Sequence, residues 1–483
     1  MKEKVVIIGA GIAGFTAGIN LLQKGYDVTI IEKNKDVGGL CFGYFVKGHY
    51  IDACLHWLMG THKKSNLYKE WKNIGAFDKN TKFISLPSIG TFDYRGTKVT
   101  LYRDLKKTEK ELVKLSPIDK KRIHRFIDTT KKMGSLMGVF FKNKKFSYEE
   151  FLRDLYRSGH LVRAMYQSRE DYSNKFSHPA IRFALKNAQT GYNNMFFFFD
   201  YYGLFVTGNA DVPVGGAYYM VERIKNKFLE LGGELLLNTE VEKLIVRNGY
   251  VTGARIKDEI IRGEHFISSV DPLYTNRKLL GKKYSLRFFN YLERTVNRRP
   301  ISSCFNVYIA VNGDMSKFDV PTVFSVGKTK IGSRIISSLL VRSYHFDPAF
   351  IKDGKTTVSL FVDQNQDDYR YFESLDEATY KKESQQMADS LIDLFVEKYP
   401  EFKGKVELLS FFTPRDLKER ANSSFGSIQS YSFTDRSMMY TRGGKHKKVD
   451  NLYLCGQWNR AIGGTPTALL SALDVVKDFK NIK

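Results

Sequence analysis

The residues best suited to chemistry begin with a glycine pattern close to the N-terminus. The apolar run 4–8 leads directly into Gly9, Gly11 and Gly14, and apolar residues at helical spacing predict a helix over 12–24. This glycine spacing between a strand and a helix is typical of dinucleotide binding. Gly9 permits a tight turn, Gly11 lets a pyrophosphate approach the backbone, and Gly14 lets the helix pack on the strand.

An acidic residue follows at the distance that such a site requires. A second strand is predicted over 27–31, and Glu32 closes it. Its carboxylate would accept hydrogen bonds from ribose hydroxyls and would disfavour a 2′-phosphate. The helix N-terminus at Ile12 and Ala13 would attract phosphates through its positive dipole end. The sequence therefore predicts a dinucleotide-binding βαβ unit, and an ordinary glycine turn is the weaker alternative.

A second glycine pair indicates the kind of dinucleotide. Glu32-Lys33 is followed shortly by Gly38-Gly39, and this arrangement resembles the fingerprint of the FAD-dependent amine oxidase and phytoene desaturase superfamily. The phytoene desaturase-like and carotene isomerase-like members are the most similar. The resemblance implies FAD as cofactor, with Lys33, Gly38, Gly39 and the following Leu40 beside it. Leu40 stands where this family usually has arginine.

Two later segments carry the same resemblance. The middle one runs from Pro213 through a predicted helix and an Asn248-Gly249 hairpin signal to Pro272. In the family, the backbone at the position of Val241 meets the adenine. The C-terminal segment is a strand ending at Gly456, a glycine-rich turn and a closing helix predicted through Phe479. There the resemblance implies FAD contacts from Gly456, Gln457, Gly464, Thr465 and Thr467, with Gln457 replacing the family's usual acid.

The order of these segments predicts the architecture. We expect an α/β protein in which a Rossmann-like FAD-binding domain of the glutathione-reductase type is interleaved with an α+β substrate-binding domain. The FAD-binding domain would comprise residues 1–70, 211–280 and 441–483. The substrate-binding domain would comprise residues 71–210 and 281–440.

The resemblance also implies an activity. Thr413-Pro414 and Phe425-Gly426-Ser427 are similar to a segment of the desaturase-like and isomerase-like members. We therefore expect an FAD-dependent oxidoreductase acting on carbon–carbon bonds of an apolar polyene or lipid-like substrate, by desaturation, saturation or isomerisation. Oxidation of an amine or a porphyrinogen is the alternative, and a prenyl or lipid carrier without activity is more remote. No residue pattern reveals the electron acceptor or donor.

Three side chains are candidates for catalysis or for contact with the flavin ring. His56 follows a segment, 48–54, that corresponds to a family motif near the flavin, with Cys54 in place of the usual glycine. His56 could donate or position a proton, and a core histidine is an equally good interpretation. Tyr44 and Trp458 are weaker candidates for contact with the ring or the substrate.

The charge of the chain needs its own explanation. Its 483 residues include 76 Lys+Arg against 52 Asp+Glu, a net charge of +24. The excess is concentrated in the helical segment 101–145, where basic and apolar residues alternate as on an anionic membrane surface. An equally good interpretation of this segment is a set of helices whose lysines face the solvent and whose apolar residues form an ordinary core. The all-apolar run Met195–Phe199 favours either membrane docking or a buried wall of the pocket.

Several classes of protein are excluded or disfavoured at this point. No nucleic-acid-binding motif accompanies the positive charge, so no nucleic-acid partner is expected. Cys41, Cys54, Cys304 and Cys455 are too far apart for a metal motif, and they are expected to be reduced and buried. Neither a signal peptide nor a membrane span is recognisable. We therefore expect a cytoplasmic protein that docks peripherally on the inner face of the membrane.

Overall fold

The computed structural model describes residues 2–142, 159, 163–164, 166–188, 194–298, 301–316, 318–431, 443–459 and 463–482, with the backbone alone for 138–142 and 298. Lys144 and Lys145 of the basic segment lie outside these ranges. The strands are numbered in chain order: β1 Lys4–Ile8, β2 Asp27–Ile31, β3 Gly43–Val46, β4 His49–Asp52, β5 Leu58–Met59, β6 Phe83–Ile84, β7 Ser88–Tyr94, β8 Thr97–Tyr102, β9 Ala210–Pro213, β10 Glu234–Leu236, β11 Lys243–Arg247, β12 Tyr250–Ile256, β13 Glu259–Ile261, β14 His265–Ser268, β15 Ser303–Asn312, β16 Thr322–Ile331, β17 Arg334–Ser343, β18 Ile351–Lys352, β19 Lys355–Gln364, β20 Val406–Phe412, β21 Gly444–Lys445 and β22 Leu452–Leu454.

The helices of the described ranges are numbered in the same way. They are α1 Ile12–Gln23, α2 Asn66–Asn73, α3 Leu105–Leu115, α4 Lys120–Lys142, α5 Arg169–Ser173, α6 Pro179–Asn187, α7 Met195–Val206, α8 Gly216–Glu230, α9 Pro272–Tyr274, α10 Arg287–Arg294, α11 Gln366–Ser374, α12 Glu377–Lys398, α13 Pro414–Ala421 and α14 Thr465–Val476. The closing helix thus ends three residues before the Phe479 that the sequence predicts.

A parallel sheet forms the N-terminal part of the fold. Its strand order is β10-β2-β1-β14-β22-β21, and only the edge pair β21–β22 is antiparallel. Val5, Val6 and Ile7 of β1 are wholly buried, as expected for a central strand covered on both faces. Helices α1 and α14 pack against each other on one face. The antiparallel strands β11–β12–β13 contribute to the core of the other face. The predicted Rossmann-like α/β fold is confirmed.

Short local features follow the sequence closely. Asn248 and Gly249 both have positive φ, 50° and 80°, as a type I′ turn between β11 and β12 requires. Helix α1 ends one residue earlier than predicted, and Gly25 follows it with a φ of 100°. Such turns depend on contiguous residues, so their prediction needs no tertiary information.

A second, larger sheet is formed mainly by strands from the second half of the chain. Its order is β20-β15-β19-β17-β16-β7-β8, with β18 paired to β19, and β7–β16 is its parallel pair. One face packs against α12, whose Leu391 and Phe395 are wholly buried. This packing makes α12 part of the core beneath the sheet. The opposite face looks towards the parallel sheet.

The all-apolar run at 195–199 has a different role from the membrane contact that was considered for it. It forms the first half of α7, in which Met195 to Phe199 are each at most 4% exposed. Helix α4 packs against it, with Phe126 among the neighbours of the phenylalanine rings. The membrane interpretation of this run is wrong, because a helix that is apolar all round is covered here by other helices. No helix in the described ranges is long and apolar enough to cross a membrane.

Candidate functional site

A single large cavity of about 990 Å³ extends from the first glycine loop to the eight-stranded sheet. It brings together most of the residues that the sequence singled out. Those that line it are Gly9, Gly11, Ile12, Ala13, Glu32, Lys33, Gly38, Gly39, Leu40, His56, Val241, Gly456, Gln457, Trp458, Gly464, Thr465 and Thr467. Gly14 and Tyr44 are the two that do not.

The two glycine loops form one continuous cradle. The Gly38 amide donates to the Ala10 carbonyl at 2.8 Å, which holds the second loop against the first. A Cβ on Gly11 would meet only backbone atoms 3.9 Å or more away, so this position opens towards the cavity. A Cβ on Gly14 would instead lie 2.0 Å from the carbonyl oxygen of Gly9. Gly14 therefore serves helix packing, as its place in the motif predicts.

Two helix N-termini converge on this cradle. Gly11 precedes α1 and Gly464 precedes α14, and neither helix has a side chain that caps its first backbone amides. The first residues of both helices line the cavity. Uncapped helix N-termini present free N–H groups and a positive dipole end, so a pair of them suits a pyrophosphate.

Glu32 occupies the far end of the cradle. Its Oε2 accepts from the Ala10 amide at 2.9 Å, and its Oε1 accepts from the Asn34 amide at 2.9 Å and from the Asn34 side chain at 2.7 Å. These bonds orient a carboxylate that keeps lone pairs for ribose hydroxyls. Lys33 also lines the cavity, but its ammonium donates to the carbonyl oxygen of Glu419 and to Asn422 on the α13 side.

The C-terminal turn is held by the residue that departs from the family pattern. Oε1 of Gln457 accepts from the Gly464 amide at 2.7 Å, so the side chain closes the loop before α14. The Gly456 amide donates to the hydroxyl of Ser471 at 2.7 Å. The amide group of Gln457 supplies donors where a carboxylate would supply negative charge, which suits a neighbouring phosphate.

One cationic residue of the cradle, Arg420, was not indicated by the sequence. Arg420 of α13 donates from Nε to the carbonyl oxygen of Gly39 at 2.9 Å, and its guanidinium lies 3.8 Å from the ring centre of Phe42. It lines the cavity beside the second glycine loop. A guanidinium is thus present near Leu40, although it comes from a segment almost four hundred residues away. No local pattern around Arg420 signals this role.

His56 lies on the cavity wall beyond the cradle. Asp52 shapes its loop, because the carboxylate accepts from the backbone amides of Cys54, Leu55 and Ala217 at 2.7–2.8 Å. The Nδ1 of His56 lies 3.2 Å from the Cys54 carbonyl, which can only accept, so Nδ1 carries the proton. Burial, and then the positive charge of Arg342, hold the pKa of His56 well below its usual value. The imidazole is therefore neutral near pH 7, with Nε2 free to accept.

Tyr44 and Trp458 are placed differently from each other. Trp458 lines the cavity, is 5% exposed, and packs edge-on against Tyr431 with ring centres 5.7 Å apart. Tyr44 lies outside the cavity lining, stacks on Phe42, and hydrogen-bonds Ser410 at 2.9 Å. The expected contact of Tyr44 with the ring or substrate is not supported, because its hydroxyl links β3 to β20 instead. Of the four cysteines, Cys54 is partly exposed, the other three are buried, and none forms a disulfide.

The chamber beyond the cradle is mostly apolar. The eight-stranded sheet forms its floor, and helix α7 contributes aromatic side chains to its wall. The aromatic and aliphatic residues of this chamber include Ile89, Phe92, Phe196, Phe197, Tyr201, Phe205, Val323, Leu340, Phe346 and Phe361. Trp57 packs against Tyr201 with ring centres 4.5 Å apart. A chamber with this lining suits an apolar molecule.

Two ionisable groups interrupt the apolar lining, and neither was indicated by the sequence. Asp200 of α7 has an Oδ1 without a hydrogen-bond partner in the described structure, and burial raises its pKa to about 7. Arg342 of β17 is 7% exposed and lies 5.0 Å from the ring centre of Phe361. A buried carboxyl group with a raised pKa that faces a cavity, as Asp200 does, is a candidate functional group.

The fold and the cradle together define a dinucleotide-binding oxidoreductase whose cavity extends from a Rossmann-like sheet into an apolar chamber. Residues 12–478 match the profile of the flavin-containing amine oxidoreductases, and the chain belongs to that family. The cradle fits FAD: two uncapped helix N-termini meet beside Gly11, where a side chain would fill the space, and Glu32 stands at the ribose end. The protein is an FAD-dependent oxidoreductase, as predicted.

Individual relatives resemble the chain over nearly its whole length. The neurosporene-forming phytoene desaturase of Rhodobacter capsulatus is 22% identical, with 96% of this chain and 92% of the relative covered. The chloroplastic prolycopene isomerase 1 of an Oncidium hybrid is also 22% identical, with 85% and 72% covered. Among solved structures, cyclohexylamine oxidase of Brevibacterium oxydans shares the fold, with a TM-score of 0.56, 14% identity and 99% of both chains covered.

Proposed function

We propose that this flavoenzyme acts on carbon–carbon bonds of an apolar polyene or lipid-like chain, by desaturation, saturation or isomerisation. The observation that carries the proposal is the continuity between the FAD cradle and the aromatic chamber. A hydrocarbon chain lying in that chamber would be shielded from water, and one of its ends would lie next to the cofactor. The desaturase and isomerase names of the relatives support the same substrate class.

FAD, when bound, supplies the two-electron redox step. Glu32, Arg420, Gln457 and the two helix N-termini would hold its ribose and phosphates, with the backbone of Val241 beside the adenine. The phenylalanine side chains of α7 and of the sheet floor would orient the substrate and exclude water. This division of labour leaves the redox chemistry to the cofactor and the positioning to the protein.

Two protein groups could move a proton in the chamber. His56 is neutral and presents Nε2 as an acceptor, whereas Asp200 titrates at about pH 7 and presents an unpartnered Oδ1. A carboxyl group that exchanges its proton near neutrality is suited to general acid–base work. We infer that Asp200 is the better candidate for proton transfer, with His56 and Trp458 positioning the substrate.

We also infer that the two sheets mark two interleaved domains. The parallel sheet would belong to the FAD-binding domain of residues 1–70, 211–280 and 441–483. The eight-stranded sheet would belong to the substrate-binding domain of residues 71–210 and 281–440. The cavity lies where both contribute lining residues.

The test is anaerobic incubation of the purified FAD-loaded enzyme with single polyenes, such as phytoene and prolycopene. Flavin absorbance reports reduction, and chromatography with mass spectrometry identifies the product. Bleaching of the flavin with a product two hydrogens lighter means desaturation, whereas an isomer of equal mass without bleaching means isomerisation.

Reduction of the flavin by amines or porphyrinogens, with no reaction of any polyene, would overturn the proposal in favour of amine or porphyrinogen oxidation. A protein that never takes up FAD would favour a carrier. Quinone, oxygen and a reductase system, added one at a time, identify the electron partner.

We further propose that the basic helices dock on an anionic membrane. Ile118, 81% exposed, stands at the turn between α3 and α4 with exposed Lys114, Lys120 and Lys121 around it in sequence. An exposed apolar side chain in a segment with several exposed lysines is suited to insertion among anionic headgroups. Such docking would let an apolar substrate pass from the bilayer to the enzyme.

A further inference from the structure

Arg342 occupies a position where the sheet pattern calls for an apolar residue. Along β17, Leu339 and Val341 point into the core beneath the sheet, whereas Leu340 and Arg342 line the chamber. The chamber face carries Phe361 on the neighbouring strand β19 and Cys304 on β15, the next strand beyond it. A guanidinium therefore lies in an apolar floor, and only 7% of the Arg342 residue is exposed to solvent.

This buried cation has no directly bonded partner in the described part of the chain. Its Nε has no hydrogen-bond partner, and no ion pair joins it to any described carboxylate. Asp363 lies on the same sheet face, where its charge acts on Arg169 of α5 and on Cys304, which also feels the charge of Arg342. An uncompensated buried charge is among the costliest features in a protein, so its retention calls for a partner from outside the fold.

A pure hydrocarbon would leave that charge uncompensated. Resting on the proposed function, we propose that Arg342 binds a carboxylate at one end of the substrate, which is therefore an unsaturated carboxylic acid with a long apolar chain. The fork of a guanidinium matches the two oxygens of a carboxylate. The rest of the chain would lie along the aromatic chamber towards the FAD cradle.

The surroundings of Arg342 match a single negative charge. The charge of the guanidinium acts on His56, Tyr201 and Tyr344. His56 is neutral, and Arg103, which also acts on Tyr201, is paired with Asp211. Arg342 is therefore the cation of this cluster that has no ion-pair partner. One cation suits a monoanion, whereas a phosphate of two charges would be only half compensated. A cationic amine would be repelled from the same place.

The experiment measures binding to the FAD-loaded protein, without turnover. The probes are linoleic acid, its methyl ester and the amine of the same chain, each titrated below its micelle concentration and followed by the flavin absorbance change and by calorimetry. We expect the acid to bind roughly tenfold or more tightly than the ester, because a charge-assisted bidentate pair is gained. The amine should bind more weakly than both.

Three variants test the residue. Arg342→Leu should lose the preference for the acid and bind the ester at least as well as the wild type, because the floor becomes apolar. Arg342→Lys should keep part of the preference, since it keeps the charge without the fork. Lys330→Gln removes one charge from the exposed surface of neighbouring β16 and should leave the preference unchanged. Unchanged FAD content and melting temperature in Arg342→Leu show that the fold is intact.

The outcomes separate this inference from the proposed function. Equal binding of acid and ester by the wild type, or a preference that survives in Arg342→Leu, would overturn the carboxylate site. Turnover of phytoene with no preference for the acid would leave the proposed function standing and remove the inference. An Arg342-dependent preference for the acid, without any reaction at carbon–carbon bonds, would keep the site and remove the proposed function.

Discussion

Arg420 donates a hydrogen bond from Nε to the carbonyl oxygen of Gly39, 2.9 Å away, while its guanidinium covers the ring of Phe42 at 3.8 Å. The contact joins α13 to the loop of the second glycine pair. Because Leu40 follows that pair, the positive charge that the family usually carries in the loop itself comes here from another part of the chain. The cavity beside it is the proposed site of the FAD phosphates.

We expect Arg420→Ala to weaken FAD binding roughly tenfold, since a charge-assisted contact and the clamp on the loop are both lost. The dissociation constant is measured by the fluorescence of FAD titrated into apoprotein. Lys418→Ala, on the same helix but outside the cavity lining, is the matched control and should bind FAD normally. Equal affinity in the two variants would remove Arg420 from the site.

Gly11 and Gly14 should respond in opposite ways to the same added methyl group. Gly11→Ala has room in the fold, with its nearest neighbours at 3.9 Å, but the methyl group enters the space of the pyrophosphate. We expect FAD content to fall sharply at an unchanged unfolding midpoint of the apoprotein.

Gly14→Ala places the methyl group 2.0 Å from the Gly9 carbonyl oxygen, so α1 must move away from β1. We expect a loss of roughly 2 kcal/mol or more in the free energy of unfolding, as for an overpacked core. Urea unfolding of both apoproteins provides the comparison. Stability that falls in Gly11→Ala and holds in Gly14→Ala would contradict the roles assigned to these glycines.

Asp200 should make stability depend on pH. Its pKa is raised from 3.8 to about 7 by burial, so the folded protein keeps a proton that the unfolded chain releases above pH 4. The free energy of unfolding contributed by this group therefore falls between about pH 4 and pH 7, and the full penalty is present above pH 7. Because the Asp200 carboxyl group is partly in contact with the cavity, the loss in the free energy of unfolding is smaller than its limit of about 4 kcal/mol.

Asp200→Asn should accordingly be more stable than the wild type at pH 8 and no different at pH 3.5. Urea midpoints at several pH values, at one FAD concentration, check this. Asp258→Asn removes a carboxylate from the exposed turn between β12 and β13 and should give no such pH-dependent gain. A constant difference between Asp200→Asn and wild type across this range would show that the carboxyl group is not buried as the structure places it.

The basic surface should decide binding to anionic vesicles. Replacing Lys114, Lys120 and Lys121 by Glu should lower the affinity for phosphatidylglycerol vesicles at least roughly a hundredfold, because each lysine near such a surface contributes about 1 kcal/mol. Co-sedimentation at low and high salt provides the measurement. Reversal of exposed Lys243, Lys257 and Lys328, the same change in net charge elsewhere, should have a much smaller effect.

A second variant separates charge from insertion. Ile118→Ser should weaken binding while leaving its salt dependence in place, because the apolar tip is lost and the lysines remain. Wild-type protein that ignores vesicle charge would assign the lysine excess to solvation of α3 and α4.

The cradle could be predicted because its determinants are contiguous. A strand, the glycines from Gly9 to Gly14, a helix and Glu32 follow one another within a short stretch, and local sterics determine what each does. The turn at Asn248-Gly249 is equally local. The C-terminal turn at Gly456 was found by resemblance, which again depends on a short run of residues.

The chamber could not be predicted in this way. Its floor is assembled by pairing β7 with β16 and β15 with β19 and β20, and pairing across such distances leaves no pattern in any one segment. The sequence of the apolar run at 195–199 is compatible with contact to lipid and with burial in the protein. Only its packing against α4 in the folded structure shows that it is buried. Tyr44 was placed near the flavin by its neighbours in sequence, yet its hydroxyl turns to Ser410.

The sequence by itself indicated a dinucleotide site, since a phosphate cradle is built from backbone and a few adjacent glycines, and the resemblance of its motifs to a family implied that the dinucleotide is FAD. Only the tertiary structure decided which charges face the chamber. Arg342, Arg420 and Asp200 come from three separate elements, and each is unremarkable among its neighbours in the chain. Their significance arises from burial and from the absence or presence of a partner, which are properties of the folded molecule alone.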